Sequence, residues 1–252
     1  MSIATLPPVA AGAAARPGLG RLTLVELRKM TDTRAGFWLL LSTVLITAVA
    51  VVAVVWVARA PDLGLIDMVG LAVQPSALLL PVIGILLVCS EWSQRTAMIT
   101  FALVPDRSRV MVAKLLAALV LIVVAIQVVF AFAAVGTALG GGAWRFPAGL
   151  VVQVVAYTTV PMLAGVAFGA ALRNPAAAIV GYFLIPIAFA ALVSLPVFDE
   201  IAPWVDQTRS TAPMLEPGMT GEEWARFGTS LLPWLALPLA AGWWRVVRGD
   251  VQ

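Results

Sequence analysis

Residues able to do chemistry are few in this chain, and the types that are missing say as much as those present. Its 252 residues include no histidine and one cysteine, Cys89, inside an apolar run. That removes the commonest general base, the commonest metal ligand and any intrachain disulfide, so no metal site and no catalytic residue are expected. There is no Gly-x-x-x-x-Gly-Lys-Ser/Thr segment, so ATP hydrolysis by a phosphate loop is excluded for this chain. The acids nearest the apolar runs, Asp67 and Glu91, stand at run ends rather than as a catalytic pair. Glu91 and Arg95 are four residues apart, a spacing that lets them pair on a helix at a membrane surface. Inside the runs, Gln74, Gln127, Gln153, Tyr157 and Tyr182 are the best polar candidates for touching a solute. Hydrogen bonds between helices explain these five equally well.

Such residues must be positioned by elements of an unusual composition. Hydrophobic residues make up 62% of the chain and charged residues 12%, against roughly 45–50% and about 25% in ordinary globular proteins. The charges cluster and leave long runs with none, whereas a helix in a soluble core keeps a polar face. A bilayer-spanning helix needs about 20 apolar residues. The sequence predicts six, at about 36–58, 68–90, 112–139, 147–172, 176–197 and 227–246. The fold expected is therefore an all-α integral membrane protein. Residues 1–18, rich in Ala, Pro and Gly, read as a disordered cytoplasmic tail, since Pro7, Pro8, Gly12 and Arg16 interrupt any signal-peptide core.

Residues 19–34 read as an amphipathic helix lying on the membrane. Leu24, Leu27 and Met30 fall on one side and Arg21, Arg28 and Asp32 on the other, with Leu22 and Val25 intruding on the polar arc. Orientation follows from the basic residues. With a cytoplasmic N-terminus, twelve Lys/Arg lie on inside segments and four (Arg59, Arg145, Arg209, Arg226) outside, so both termini are expected in the cytoplasm. The same rule accounts for the net charge of +3, and no basic stripe with interleaved aromatics suggests nucleic acid.

Two connections are long. The outer one, 199–226, carries six acids and ends in Thr220-Gly-Glu-Glu223, a capping box that should start a helix. It reads either as an exit gate or as an ordinary solvated loop. The inner one, 91–111, has Ala97, Met98, Phe101 and Ala102 at helical spacing, then Pro105 as a stop and Arg107, Arg109 and Lys114 re-entering at headgroup level. A helix with an exposed apolar patch there would serve as a docking knob, or would tuck against the bundle. Gly165-x-x-x-Gly169 and Ala177-x-x-x-Gly181 offer close packing, within the chain or between subunits. Pro75, Pro81, Pro161, Pro186, Pro233 and Pro238 interrupt the runs.

The inner connection resembles that of the ABC-2 type transporter permeases. Glu91 ending the second span, Thr96 five residues on, Pro105-x-Arg107 and Lys114 opening the third span match the family's pattern. The order of elements is also similar over about residues 19–248, although Arg95 stands where many members have Gly. The resemblance implies a membrane subunit that pairs with a second permease, identical or related, and docks two cytoplasmic ABC ATPase subunits. ATP and magnesium would bind in the ATPase, with no cofactor in this chain. Glu91, Trp92, Arg95, Thr96, Met98, Phe101, Pro105 and Arg107 would form the coupling loop, braced by Leu24, Leu27, Arg28 and Met30. The expected setting is a bacterial plasma membrane and the expected cargo a drug-like, lipid-like or natural-product molecule, exported. A stand-alone secondary carrier or channel, or a non-transporting scaffold subunit, is the competing expectation.

Overall fold

The computed structural model describes residues 17–57, 63–94 and 96–248. Most of the N-terminal tail, the connection around Pro61 and Arg95 lie outside these residues. The chain begins with α1 (Leu19–Asp32), and after Thr33 alone α2 (Arg34–Val52) runs on into a π turn at Ala53–Val57. The joint is sharp because Gly36 is buried against α1, where a Cβ would collide with the Met30 carbonyl. Thr33 closes it by accepting a hydrogen bond from the Gly36 amide at 3.1 Å. Then follow α3 (Leu65–Ser93), the short α4 (Ala97–Leu103), α5 (Arg107–Gly140), α6 (Ala148–Leu172) and α7 (Pro175–Val193). The chain ends with α8 (Ala202–Val205), α9 (Gln207–Thr211), α10 (Gly221–Leu231), a π turn at Leu232–Ala236 and α11 (Leu237–Arg248).

Among the described residues there is no strand, and five helices are long and apolar enough to cross a membrane: Arg34–Val57, Leu65–Ser93, Arg107–Gly140, Ala148–Leu172 and Pro175–Val193. The protein is thus an all-helical, multi-pass membrane protein. The last apolar run lies in helix that continues from Gly221 to Arg248 through a π turn at Leu232–Ala236, and it is not among these five. Pro233 stands in that π turn, where its missing amide removes a rung of the ladder. The prolines in α3, α6 and α7 come with no π turn; those helices run unbroken through Pro75, Pro81, Pro161 and Pro186.

Helices α3 and α6 form the axis of the bundle, and small residues set their approach. A Cβ on Gly165 would overlap the Pro81 carbonyl, and one on Gly84 would lie 2.6 Å from the Met162 carbonyl oxygen. Gly169 faces Ile85 and Val88. The Gly165-x-x-x-Gly169 pattern is therefore used inside the chain, where backbones in contact gain dispersion that larger side chains would forbid. Helices α2 and α5 flank α3, while α7 and α11 pack on α6. The outer helices leave Leu45, Ile46 and Val49 of α2 and Leu184, Ile185 and Ile187 of α7 exposed. Surface this apolar on all sides is stable only against hydrocarbon or another apolar chain.

The stretch from 199 to 226 is a packed cap and not an ordinary solvated loop. Met214 is fully buried, and Asp206, at 4% exposure, caps α9 by accepting from the amides of Thr208 (2.8 Å) and Arg209 (3.4 Å). The Ser210 hydroxyl donates to that of Ser230 in α10 (2.8 Å), and the Trp234 indole donates to the Val205 carbonyl (2.7 Å). Helix α10 starts with the capping box formed: the Glu223 amide donates to Thr220 Oγ1 (3.3 Å) and the Thr220 amide to Glu223 Oε2 (2.7 Å). These bonds to the thread of the bundle explain why so polar a sequence stays in place.

Candidate functional site

Charge gathers at the end of the bundle that carries α1 and α4. Lys29 Nζ of α1 donates to Glu26 Oε1 (2.7 Å) one turn earlier and to Glu91 Oε1 (2.8 Å) at the end of α3. Lys114 Nζ of α5 donates to Glu26 Oε2 (2.7 Å) and to the Leu87 carbonyl (3.1 Å), and lies 3.3 Å from Glu91 Oε2. The four side chains close a ring of alternating sign, two carboxylates against two ammoniums, with no net charge. Glu26, Glu91 and Lys114 are all buried, and Lys29 closes the ring on the solvent side. Such groups leave water only when paired, because an isolated charge at this depth would cost several kcal/mol. Burial alone would lower the Lys29 ammonium, but Glu26 and Glu91 together raise it above the ordinary lysine value of 10.5.

Three elements build the ring. Helix α5 is 34 residues long, about 51 Å at 1.5 Å per residue, well over the roughly 30 Å of a hydrocarbon core. Its first two turns therefore reach past the core and carry Lys114 alongside α1. Helix α1 turns Glu26 and Met30 inward, while Leu24 and Leu27 line an apolar groove with Leu116, Leu119, Val120 and Val123 of α5. Arg28 is exposed. The face buried against protein holds Glu26 together with Met30, and Leu27 borders the groove beside it. Leu24 is 49% exposed. Glu26 was the residue that sequence reasoning missed. Its one signal is an acid three residues before Lys29 in a helix that carries three basic residues.

The inner connection packs onto this ring. Thr100 of α4 donates to Glu91 Oε1 (3.3 Å), and the Thr96 amide donates to the Glu91 carbonyl (2.9 Å). Glu91 is held by α1, α4 and α5, and the helical pair expected between it and Arg95 falls on a residue that is not described. Phe101, anticipated as part of an exposed patch, is buried at 9%, edge-on to Trp92 at 6.4 Å with the Arg107 guanidinium 4.9 Å over its ring. The large apolar side chains that α4 does expose are Met98 (64%), Ile99 (62%) and Leu103 (73%), with Ala102 exposed beside them. A seven-residue helix cannot expose Phe101 and also cover the ring; its two faces are divided between partnerless surface and core. Pro105 is exposed between α4 and α5, and Asp106 behind it caps α5 through the amides of Ser108 (3.1 Å) and Arg109 (3.3 Å).

The five polar residues inside the runs separate on the structure. Tyr157 and Tyr182 line one cleft of about 270 Å³ between α6, α7 and the cap, with Pro161, Pro186, Thr208 and Phe227. The Tyr157 hydroxyl donates to Gln74 Oε1 (3.3 Å), which adds Gln74 to that neighbourhood. Gln153 does not join them. Its side-chain amide, 2% exposed, donates to the carbonyls of Glu216 (2.8 Å), Met214 (3.2 Å) and Pro213 (3.4 Å), and so it anchors the cap to α6. Gln127 is exposed on α5, outside the cleft. Among the described residues no group of His, Cys, Asp and Glu is placed to hold a metal ion. No protein-family model matches the chain, and no curated protein sequence matches it.

Proposed function

We propose that this protein is the membrane-spanning subunit of an ATP-driven exporter, of the ABC-2 permease kind, in a bacterial plasma membrane. The observation that carries the reading is α4. It presents Met98, Ile99 and Leu103 outward on one side, while on the other Thr100 bonds to Glu91 of the charge ring and Phe101 packs against Trp92. A partner pressing on α4 would therefore move α1, α3 and α5 together. On this reading α10, the π turn and α11 form a sixth crossing, and the basic end of the bundle faces the cytoplasm. Two copies, or one copy and a related chain, enclose the pathway, and two ATPase subunits bind ATP and magnesium. The cargo is amphiphilic, drug-like or lipid-like, because the cleft beside Tyr157 and Tyr182 is mostly apolar with hydroxyl and amide groups at its rim.

The test is co-purification with an ATPase encoded beside this chain, comparing wild type with Met98→Asp and Ile99→Asp. Both positions are exposed, so the fold should survive and the ATPase should be lost. A two-to-two complex that these substitutions release supports the reading; a chain that binds no ATPase overturns it. A stand-alone secondary carrier is the second reading, favoured by buried Glu26, Glu91 and Lys114, the kind of groups that carry coupling protons in membranes. Uptake or efflux by the reconstituted chain alone under an imposed pH gradient would decide for it.

A further inference from the structure

Helices α6 and α7 repeat one motif where they border the same cleft. Tyr157-x-x-x-Pro161 in α6 and Tyr182-x-x-x-Pro186 in α7 each put a tyrosine four residues before a proline, and all four side chains line the cleft of about 270 Å³ beside the cap. In a helix each amide donates to the carbonyl four residues earlier, and proline has no amide. The carbonyls of Tyr157 and Tyr182 therefore lose their helical donor. Among the described residues no side chain and no other segment donates to either one.

The two hydroxyls differ. That of Tyr157 donates to Gln74 Oε1 at 3.3 Å. That of Tyr182 has no hydrogen-bond partner among the described residues, while its ring is held edge-on by Phe168 (5.7 Å) and Phe183 (4.9 Å). Polar groups kept among apolar side chains are costly until a partner bonds to them. The described residues that line the cleft carry no charge.

We propose that this cleft binds an uncharged hydroxyaromatic molecule, a phenol with a fused-ring body; the inference rests on the reading of the cleft as the seat of the cargo. The phenol hydroxyl donates to a carbonyl freed by proline and accepts from the Tyr182 hydroxyl, and its rings pack against Phe183 and Phe227. An anion would face carbonyl oxygens, and a cation would leave water with no carboxylate to meet it. The volume falls just below the roughly 300–1,000 Å³ of pockets for drug-sized ligands, which fits about two fused rings. Ile187 lines the cleft and is 64% exposed, so the mouth opens on the hydrocarbon side of α7, where a neutral aromatic dissolves and an ion does not.

The experiment measures binding of radiolabelled 2-naphthol to the purified full chain in phosphatidylcholine nanodiscs, with empty discs subtracted. Wild type should bind it saturably. Unlabelled 2-methoxynaphthalene, which keeps the rings and the oxygen but has no donor, and 2-naphthoate should compete at least about tenfold more weakly than 2-naphthol. Tyr182→Phe removes one hydroxyl and should weaken binding by about fivefold. Pro186→Ala returns a helical amide to the Tyr182 carbonyl and should weaken it similarly, whereas Gln127→Ala, on α5 outside the cleft, should bind as wild type does. Absence of saturable binding, equal competition by 2-methoxynaphthalene, or wild-type affinity in Tyr182→Phe overturns the site. Should the variants fail to fold, the competition series on wild type decides alone. No ATPase is present in this measurement, so its failure leaves ATPase docking on α4 standing, and a chain that docks no ATPase is still tested here for the phenol site.

Discussion

Replacing Lys114 with Met tests the charge ring most directly. The ammonium is 3% exposed and is shared by Glu26 at 2.7 Å, the Leu87 carbonyl at 3.1 Å and Glu91 at 3.3 Å. Met fills a similar volume, so packing changes little, but two buried carboxylates are left with Lys29 as their sole cation. Breaking one side of a buried ion pair costs about 3–5 kcal/mol, because the remaining charge stays desolvated. For a chain of this length that corresponds to a fall in Tm of about 6–20 °C. Adding Glu26→Gln removes the surplus negative charge and leaves Lys29 and Glu91 as a neutral pair. The double variant should then be less destabilised than the sum of the two single changes, by at least about 1 kcal/mol. Thermal unfolding of the purified protein in one detergent, followed by tryptophan fluorescence, measures all four forms. A shift below about 2 °C for Lys114→Met, or simple additivity in the double variant, would refute the ring as a coupled unit.

Other consequences can be checked alongside it. The raised pKa of Lys29 means that the folded chain holds this proton more tightly than the unfolded chain does. Its contribution is therefore complete below about pH 10.4 and is lost as pH rises through the folded value. The Tm difference between wild type and Lys29→Met should shrink above pH 10.4, and a difference that stays constant to pH 12 argues against it. Gly165→Leu forces a side chain into the Pro81 carbonyl and should cost at least about 1–3 kcal/mol or prevent folding, read as yield and Tm; Gly149→Leu, in open space on the same helix, should be tolerated. Gln153→Ala takes the side-chain donor from the Glu216 and Met214 carbonyls of the cap, at about 1–3 kcal/mol. Limited proteolysis should then cut within residues 207–220 faster than in wild type, and an unchanged rate would show that the other bonds suffice.

What the amino-acid sequence determined by itself was everything local. Length without charge set the helices, since a backbone in hydrocarbon must satisfy its own hydrogen bonds. The capping box placed the start of α10, and Gly165 and Gly169 marked a close approach. Even the last run could be read as apolar, although only the structure revealed the π turn at Pro233 within it. Tertiary structure decided which side chains meet. Glu26 and Lys114 are 88 positions apart, and Lys29 and Glu91 are 62 apart. No periodicity links such residues; they meet because α1 folds back at Gly36 onto the overhanging start of α5. The same limit applies to Phe101, whose place on a short helix allowed either face, and to Gln153, whose amide suited a solute and a neighbouring segment equally. Their surroundings come from distant segments, and hydrophobic pattern, being a property of neighbours in sequence, carries no record of them.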